Sequence, residues 1–172
     1  MRNAHTLVLG GARSGKSAFA QARAEARGGA LLYIATAQAF DAEMESRIGA
    51  HRAARGPRWR TLEEPLELAR ALSGTAAAGS VVLVDCLTLW LSNLMAAGRD
   101  ARTEGAALAA SLATLAGEVI FVSNEVGSGI VPDNALARAF RDAQGRLNQE
   151  MAAACGSAFL VVAGLPVTLK AG

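Results

Sequence analysis

The chain of 172 residues has little of the chemistry that marks secreted, membrane or nucleic-acid-binding proteins. Its two cysteines, Cys86 and Cys155, lie far apart and lack the close spacing of a metal site, so we predict buried free thiols. No apolar stretch reaches the length of about 18 residues that a membrane helix needs, and we expect no membrane span. The net charge of +2 and the absence of a long Lys/Arg block lead us to expect no nucleic-acid partner.

Composition and length favour a compact globular protein. Apolar residues make up 52% of the chain and charged residues 19%, which excludes a disordered chain. The length fits one domain over residues 1–172 with a substantial core. The N-terminal segment "MRNAHTLVLGG" lacks the apolar core of a cleavable signal peptide, so we expect a cytoplasmic protein.

Short apolar segments alternate with longer amphipathic ones along the whole chain. The short segments are rich in β-branched residues and predict buried strands, whereas the longer ones predict helices. This alternation indicates an α/β fold with a mostly parallel central sheet that is covered by helices. The predicted strands span 5–10, 31–36, 81–85, 119–123 and 159–164, and the predicted helices span 16–27, 41–55, 65–72, 87–97, 103–115 and 134–154.

A glycine-rich loop follows the first predicted strand and opens the first predicted helix. The pattern G-x-x-x-x-G-K-S places Gly15, Lys16 and Ser17 at the start of that helix. Glycines let backbone N–H groups curl around phosphate oxygens, the lysine reaches the outer phosphates, and the serine hydroxyl can ligate magnesium. The loop therefore predicts a nucleotide site that comprises Gly10, Gly11, Ala12, Arg13, Ser14, Gly15, Lys16 and Ser17.

A second nucleotide signal is the acidic residue that ends the strand "VVLVD". Asp85 at the carboxyl end of a strand near the phosphate loop can hold Mg²⁺ or take a proton from an attacking hydroxyl. An aspartate in such a place is otherwise a turn or helix-cap residue. Together with the loop it indicates a small P-loop NTPase or kinase of unidentified acceptor.

One of the two histidines lies in a basic helical segment. Met44, Ile48 and His51 are spaced to share one helix face with Arg55, while Arg47 and Arg52 flank the histidine. A neutral imidazole among guanidinium groups is a candidate nucleophile toward phosphorus. The alternative is a solvated basic helix end. The other histidine, His5, begins the first strand, where we expect a structural or solvated role.

The chain resembles the bifunctional adenosylcobinamide kinase / adenosylcobinamide-phosphate guanylyltransferase family of cobalamin biosynthesis. The resemblance covers nearly the whole chain and implies a RecA-like P-loop NTPase fold. The segment around 98–116 has no recognisable motif. The matching stretches are "GGARSGKS" at 10–17, "LYIATA" at 32–37, "EMESRIGAHRAARGPRWRTLEEP" at 43–65, "VLVDCLTLWLSNL" at 82–94, "VSNEVGSGIVP" at 122–132, "RAFRDAQGRLNQ" at 138–149 and "VVAGLP" at 161–166.

The resemblance implies two reactions. A nucleoside triphosphate, ATP or GTP, phosphorylates the hydroxyl of the aminopropanol arm of adenosylcobinamide. GTP then donates GMP to adenosylcobinamide phosphate, which gives adenosylcobinamide-GDP and pyrophosphate. In the family this second reaction passes through a guanylylated histidine, and the motif assigns that role to His51.

The resemblance also implies further contacts and an assembly. Mg²⁺ would be held by Ser17 and Asp85, Glu63 is the candidate for reading guanine, and Glu125 is a candidate catalytic or corrinoid contact with a simple turn as the alternative. The family pattern implies a homotrimer. Further nucleotide contacts that it implies are Ala35, Thr36, Ala37, Arg52, Ala53, Ala54 and Arg55.

Two other functions stay open at the level of the sequence. One is a P-loop small-molecule kinase without nucleotidyl transfer, in which His51 is a surface residue. The other is a nucleotide-gated regulatory module that changes conformation on hydrolysis. Labelling of the protein by α-labelled GTP separates the transferase from both.

Overall fold

The computed structural model describes residues 4–38 and 56–172. In these residues strands and helices alternate along the chain, as the sequence predicts. The strands are β1 Thr6–Gly10, β2 Ala30–Ala35, β3 Trp59–Glu63, β4 Ser80–Asp85, β5 Glu118–Asn124, β6 Ser157–Val162 and β7 Leu165–Lys170. The α-helices are α1 Lys16–Arg27, α2 Leu68–Thr75, α3 Leu87–Ala96, α4 Ala101–Ser111 and α5 Ala135–Ala154, and a 3₁₀ turn, Leu112–Thr114, follows α4.

The described strands form one sheet in the order β3-β2-β4-β5-β1-β6-β7. Neighbouring strands from β3 to β6 are parallel, and only β7 runs antiparallel, paired with β6. The carboxyl ends of six strands therefore meet at one edge of the sheet. In open sheets of this kind ligands bind at that edge.

Helices cover both faces of the sheet, which explains why the central strands are apolar along their whole length. On one face α1 packs Ala20 and Ala24 against side chains that include Val8 and Val122. On the other face α2, α3, α4 and α5 enclose a core that includes Leu7, Phe121 and Trp90. Trp90 also donates its indole N–H to the carbonyl oxygen of Leu66 at 2.9 Å.

The five predicted strands and five of the six predicted helices are present, with shifted ends. The helix predicted over 41–55 lies outside the described residues. α2 begins three residues later than predicted because the Glu64 carboxylate accepts hydrogen bonds from the backbone N–H groups of Leu66 and Glu67. α4 begins two residues earlier than predicted, where Asp100 caps the N–H groups of Arg102 and Thr103.

The sequence pattern missed two strands, β3 and β7, which lie at opposite edges of the sheet. Edge strands are half-solvated, so they lack the continuous apolar run that identified the central strands. The strand predicted over 159–164 also ends early, at Val162. Ala163 and Gly164 both have positive φ and form the two-residue turn that leads into β7.

His5 and the two cysteines have the structural roles that the sequence predicts. His5 is 5% exposed, its Nε2 lies 2.9 Å from the carbonyl oxygen of Leu112, and its Nδ1 accepts the N–H of Val119. Cys86 and Cys155 are free and buried. Among the described residues no group of three metal-binding side chains occurs.

Candidate nucleotide-binding and catalytic site

The phosphate loop leaves the carboxyl end of β1, near the middle of the sheet, and leads into α1. Arg13 and Gly15 both have positive φ, at 54° and 93°, and these two reversals curl the loop between Gly10 and Lys16. Successive backbone N–H groups in such a loop form a concave site for anions, and the N-terminus of α1 adds partial positive charge. The loop has the geometry that its sequence predicts.

The glycines at the two ends of the loop are required by close packing. A Cβ on Gly10 would collide with Ser14 Oγ and lie 2.8 Å from the carbonyl oxygen of Val161. A Cβ on Gly15 would lie 3.1 Å from the Cα of Gly164, on a backbone that already has positive φ. The neighbouring Gly11 has open space on its Cβ side within the described structure.

Backbone hydrogen bonds hold the loop from both sides. On the β5 side, the N–H of Glu125 donates to the carbonyl oxygen of Gly10 at 3.1 Å. On the other side, the N–H of Gly164 in the β6–β7 turn donates to the carbonyl oxygen of Ser14 at 2.8 Å. The sequence analysis did not assign Gly164 a role in supporting the loop. The turn itself could have been found from the sequence, because the dipeptide "AG" between two apolar segments is typical of a tight turn.

Lys16 and Asp85 belong to the same site. The ammonium of Lys16 donates to the carbonyl oxygen of Gly11 at 3.0 Å, so the side chain folds back over the loop. Asp85 Oδ2 accepts the hydroxyl of Tyr33 at 3.1 Å. Burial, and then the negative charge of Asp85, raise the pKa of the Cys86 thiol to about 11, whereas the charge of Lys16 lowers it. The charges of Lys16 and Asp85 therefore both act on Cys86.

Asp85 is nevertheless not on a strand adjacent to β1. β5 lies between β4 and β1, so the carboxyl end of β5 separates the aspartate from the phosphate loop. Asn124 ends β5 in register with Gly10. The sequence analysis did not assign a role to Asn124, although it stands next to the loop.

A polar network fixes the end of β5. Ser123 donates its hydroxyl to Asn148 Oδ1 at 2.7 Å, and the amide of Gln144 donates to both of these oxygens at 3.0 Å. Asn148 in turn donates to the carbonyl oxygen of Asn124 at 3.0 Å. All three side chains are buried, at 0 to 7% exposure. The buried Oδ1 atom of Asn124 finds no partner in residues 4–38 and 56–172.

The end of β2 is tied to the end of β4 through Thr36. Its hydroxyl donates to the carbonyl oxygen of Cys86 at 2.7 Å and accepts the N–H of Cys86 at 2.9 Å. The carbonyl oxygen of Thr36 accepts the amide of the buried Asn93 at 2.8 Å. Thr36 is fully buried, so its side chain holds the edge of the sheet together, while Ala35 is buried and Ala37 half-buried beside it.

Glu63 lies at the same carboxyl edge, at the far end of the row. Ala35 pairs with Glu63 on one side and with Asp85 on the other, so these three residues are level across β3, β2 and β4. β3 is four strands away from β1. At a strand spacing of about 4.8 Å, Glu63 lies roughly 19 Å along the sheet from the phosphate loop. That separation leaves room for a ribose and phosphates between the two.

Several residues of the predicted site lie outside the described residues. They are His51 and the segment Arg52, Ala53, Ala54 and Arg55. The described chain stops at residue 38, just after β2, and resumes at residue 56, just before β3. The segment that contains His51 therefore connects the carboxyl end of β2 to the beginning of β3 in the chain.

The donors at this edge suit magnesium. Ser17 and Asp85 are half-buried and offer one hydroxyl and one carboxylate. Mg²⁺ in phosphate-transfer sites usually takes one or two protein oxygens and completes its shell with phosphate and water. The hydroxyl of Ser17 and the carboxylate of Asp85 would therefore be enough protein ligands for one Mg²⁺ ion.

The buried central strands, the phosphate loop and the acidic strand end define a P-loop nucleotide-binding protein of the α/β class. A family model described as cobinamide kinase / cobinamide phosphate guanyltransferase matches residues 6–169. The chain therefore belongs to that family, and the predicted family, fold class and enzyme class are confirmed. The regulatory-module alternative and the plain-kinase alternative lose their support.

Curated relatives are similar in sequence to this chain over nearly their full lengths. The bifunctional adenosylcobalamin biosynthesis protein CobP of Pseudomonas aeruginosa is 52% identical over 166 residues, which cover 95% of this chain and 96% of the relative. The bifunctional adenosylcobalamin biosynthesis protein CobU of Escherichia coli K12 is 40% identical over 179 residues, with 95% and 98% coverage. The corresponding Salmonella typhimurium protein is 40% identical over 181 residues, with the same coverage.

Solved structures support the fold at lower identity. The P4 protein from bacteriophage phi6 in complex with ADP has a TM-score of 0.55 at 17% identity, over 98% of this chain and 54% of that chain. A Pyrococcus horikoshii OT3 protein, PH0250, has a TM-score of 0.57 at 10% identity, over 99% of this chain and 88% of that chain. Among the described residues, no helix has the length and hydropathy to cross a bilayer.

Proposed function

We propose that this chain, as one domain, catalyses two successive transfers at the carboxyl edge of the sheet. In the first, the hydroxyl of the aminopropanol arm of adenosylcobinamide attacks the γ-phosphorus of ATP or GTP, and the nucleoside diphosphate leaves. In the second, GMP passes from GTP to the resulting phosphate, and pyrophosphate leaves. The observation that supports the proposal is a phosphate loop at the same carboxyl edge of the sheet as Asp85, in a chain of this family.

The loop has the same task in both reactions. Its N–H groups and Lys16 bind the triphosphate and offset the charge that develops on the leaving group. For the kinase step we assign to Asp85 the proton of the attacking hydroxyl, and the hydrogen bond from the Tyr33 hydroxyl to its Oδ2, which orients the carboxylate, supports this role. Mg²⁺ held by Ser17 and Asp85 would neutralise phosphate charge when bound.

We propose that His51 is the nucleophile of the guanylyl step. Its ring nitrogen forms a bond to the α-phosphorus of GTP while the bond from that phosphorus to the bridging oxygen breaks and pyrophosphate leaves. A phosphate oxygen of the corrinoid then attacks the same phosphorus, and the P–N bond breaks. Two displacements by separate nucleophiles replace one direct reaction between two anions.

The position of Glu63 supports its proposed role at the guanine. A base at Glu63 and phosphates at the loop would lie at opposite ends of the same sheet edge, and Ala35, Thr36 and Ala37 lie between them. The Glu63 carboxylate can accept hydrogen bonds from the N1–H and amino groups of guanine, which adenine does not offer in the same way. Arg52 to Arg55, just before β3, would add contacts to the nucleotide.

Labelling with α-labelled GTP tests the guanylyl step. The protein should acquire an acid-labile, alkali-stable label without corrinoid, and adenosylcobinamide phosphate should remove it. His51→Ala should abolish the label, whereas His5→Gln should retain it if the variant folds. Formation of adenosylcobinamide-GDP by the His51→Ala protein at the parental rate would disprove the covalent route.

Removal of the loop lysine tests the shared site. Lys16→Ala should lower both activities by at least a hundredfold, since both need the triphosphate charge to be offset. The control Arg102→Gln removes an exposed cation from α4 and should leave both rates within twofold of the parent. Full kinase activity in the Lys16→Ala protein would show that the loop does not hold the nucleotide.

We also propose a homotrimer in the cytoplasm, where ATP and GTP are available. The support for assembly is the outer strand β7, in which Leu165, Val167 and Leu169 are 70%, 50% and 55% exposed. An apolar edge strand is a surface that a second copy can cover. Sedimentation equilibrium should give three times the chain mass, and a monomer at micromolar concentration would contradict the trimer.

A further inference from the structure

An apolar cavity of about 810 Å³ opens on the surface next to the phosphate loop. It lies between the last turn of α3, the segment that follows β5, and the first two turns of α5. The apolar side chains that line it include Met95 and Ala96 of α3, Val126 and Pro132 of the connecting segment, and Leu136 and Phe140 of α5. Its volume falls in the upper part of the range of about 300 to 1,000 Å³ that small-molecule sites occupy.

Solvent reaches this cavity. Leu136 is 71% exposed and Val126 is 37% exposed, although both are apolar. Beneath them, Phe140 and Met95 pack against the buried core, so the floor of the cavity is part of the folded body of the protein. Exposed apolar surface on a rigid floor is typical of a binding site.

The cavity is directly connected to the phosphate loop. Val126 follows Glu125, whose N–H donates to the carbonyl oxygen of Gly10 at 3.1 Å. The preceding residue, Asn124, donates its N–H to the Thr88 hydroxyl of α3 at 2.9 Å. The start of the connecting segment is thus fixed to both the phosphate loop and α3, and Val126, the next residue, lines the cavity.

The charge of the lining excludes a second nucleotide. Among the described residues that line the cavity, Arg141 alone is charged, and its guanidinium is already bonded to Asp142 Oδ1 at 2.9 and 3.0 Å. A triphosphate needs several unpaired cations or N–H groups, which the phosphate loop offers and this lining does not. A large ligand with an apolar ring face and uncharged polar substituents suits the lining better.

We propose that this cavity binds the corrin ring of the acceptor, with its aminopropanol arm directed along Val126 and Glu125 toward the phosphate loop. This inference rests on the proposed function, which requires a corrinoid whose hydroxyl, and later whose phosphate, reaches the nucleotide. The apolar face of the ring would cover Leu136 and Val126. One ring position then serves both reactions, because only the nucleotide phosphorus that is attacked changes.

Equilibrium dialysis with dicyanocobinamide, without nucleotide, measures this site alone, since the corrinoid is detected by its visible absorbance. The double variant Val126→Gln/Leu136→Gln should raise the Kd about tenfold, because two apolar contacts are lost. Ala137→Phe, which fills the cavity, should weaken binding similarly. The matched control is Ile130→Gln, in the same segment but 98% exposed and outside the lining, and it should stay within twofold of the parent.

Kinetics then separate the cavity from the nucleotide site. In the double variant the KM for adenosylcobinamide should rise about tenfold, while the KM for the nucleotide and labelling by α-labelled GTP stay unchanged. Unchanged labelling also shows that the variant is folded. Equal corrinoid affinity in parent and variants, with an active parent enzyme, would overturn the inference and leave the proposed function standing.

Two further outcomes would also overturn it. If the parent protein neither binds the corrinoid nor shows corrinoid-dependent nucleotide consumption, the proposed function fails and the inference fails with it. If the double variant lowers the sedimentation mass and the loss of corrinoid affinity follows the loss of assembly, the cavity is a contact between subunits.

Discussion

The phosphate loop is supported on two sides, and the two supports differ in kind. On the β5 side, the buried side chains Ser123, Gln144 and Asn148 hydrogen-bond to one another and hold the end of the strand. On the β6–β7 side, the nearest described neighbours of the loop are backbone atoms: the carbonyl oxygen of Val161 beside Gly10, and Gly164 beside Ser14 and Gly15. Polar side chains therefore hold the strand end on one side, whereas close backbone packing against glycines holds the loop on the other.

The two supports also differ in how they are anchored. The β5 strand is covered by helices on both faces, whereas every residue of β7 is exposed. β7 is held at its far end by Lys170, whose ammonium donates to the carbonyl oxygens of Ala152, Ala153 and Cys155 at the end of α5. Cations at a helix C-terminus satisfy its free carbonyl groups and its dipole. The β6–β7 hairpin is therefore packed less tightly against the rest of the protein than β5 is.

The largest effect should come from a side chain placed between the loop and β6. In Gly10→Ala the new methyl group meets Ser14 Oγ and lies 2.8 Å from the carbonyl oxygen of Val161, which is fixed in the sheet. We expect a loss of about 3 kcal/mol in the free energy of unfolding, as for an overpacked site. Urea denaturation without nucleotide measures it.

The control for this variant is Gly11→Ala, where the described structure leaves open space and φ is not positive. Its unfolding free energy should change by less than about 0.5 kcal/mol, which is the usual range for a surface substitution. Equal losses in the two variants would mean that contact with β6 does not limit the residue at position 10.

The second-largest effect should come from the hydrogen-bond network that holds the end of β5. Asn148→Ala removes the acceptor of the Ser123 hydroxyl and of the Gln144 amide, and the donor to the carbonyl oxygen of Asn124. Buried groups without partners cost about 1 to 3 kcal/mol, so we expect a loss of about 2 kcal/mol in the free energy of unfolding.

The nucleotide Kd should rise as well in Asn148→Ala, because Asn124 stands in register with Gly10. The control Gln149→Ala changes an exposed neighbour on the same helix and should leave both quantities unaltered. If Asn148→Ala lowers stability but leaves the nucleotide Kd unchanged, the network supports the fold and not the loop.

A smaller effect should come from the anchor of the hairpin. Lys170→Met keeps the apolar stem but removes the ammonium from three carbonyl oxygens. We expect a loss of about 1 kcal/mol in the free energy of unfolding, the usual size of a helix-cap contribution. Lys170→Arg keeps the positive charge, so it should lose less stability than Lys170→Met. A Met variant as stable as the parent would show that the hairpin is held by its strand pairing alone.

The sequence predicted the strands on the β5 side of the phosphate loop far better than the β6–β7 hairpin. β1, β4 and β5 are apolar on both faces, so their composition identifies them, and the loop motif identifies its own conformation. β7 was missed because Leu165, Val167 and Leu169 face solvent in a strand that pairs on one side only within the described sheet. No sequence spacing reveals that Gly164 closes on Ser14, because 150 residues separate partners that only the strand order brings together.

The site was predictable to the extent that its residues follow strand ends. Asp85, Ala35 and Glu63 are level because parallel strands end at one edge. Asp85 was predicted from its place at a strand end, whereas Ala35 and Glu63 were implied by the family resemblance. Asn124 was not named, since an asparagine after an apolar strand is usually a turn residue. The apolar surface cavity between α3 and α5 could not be predicted either, because its lining comes from three separate segments.

The last effect concerns local opening of the two sides of the loop without global unfolding, and the two cysteines report on it. Cys155 lies under the Lys170 contact, whereas Cys86 lies at the end of β4, in the centre of the sheet. Burial raises the pKa of Cys155 to about 12 and that of Cys86 to about 11, so neither thiol reacts appreciably at pH 8 while it is enclosed. Labelling therefore requires opening, after which each thiol regains an ordinary pKa near 8.5.

We expect Cys155 to be labelled by a thiol reagent at least about tenfold faster than Cys86, because an exposed hairpin opens at lower cost than a covered centre. The rates are measured at pH 8 in the single-cysteine proteins Cys86→Ala and Cys155→Ala. They should rise with pH through about 8.5, where the open thiol is half ionised, and level off roughly one pH unit higher. Lys170→Met should accelerate Cys155 alone. Equal rates for the two thiols, both matching the global unfolding rate, would show that the hairpin and the centre open as one unit, and the distinction between the two supports would then be structural without being energetic.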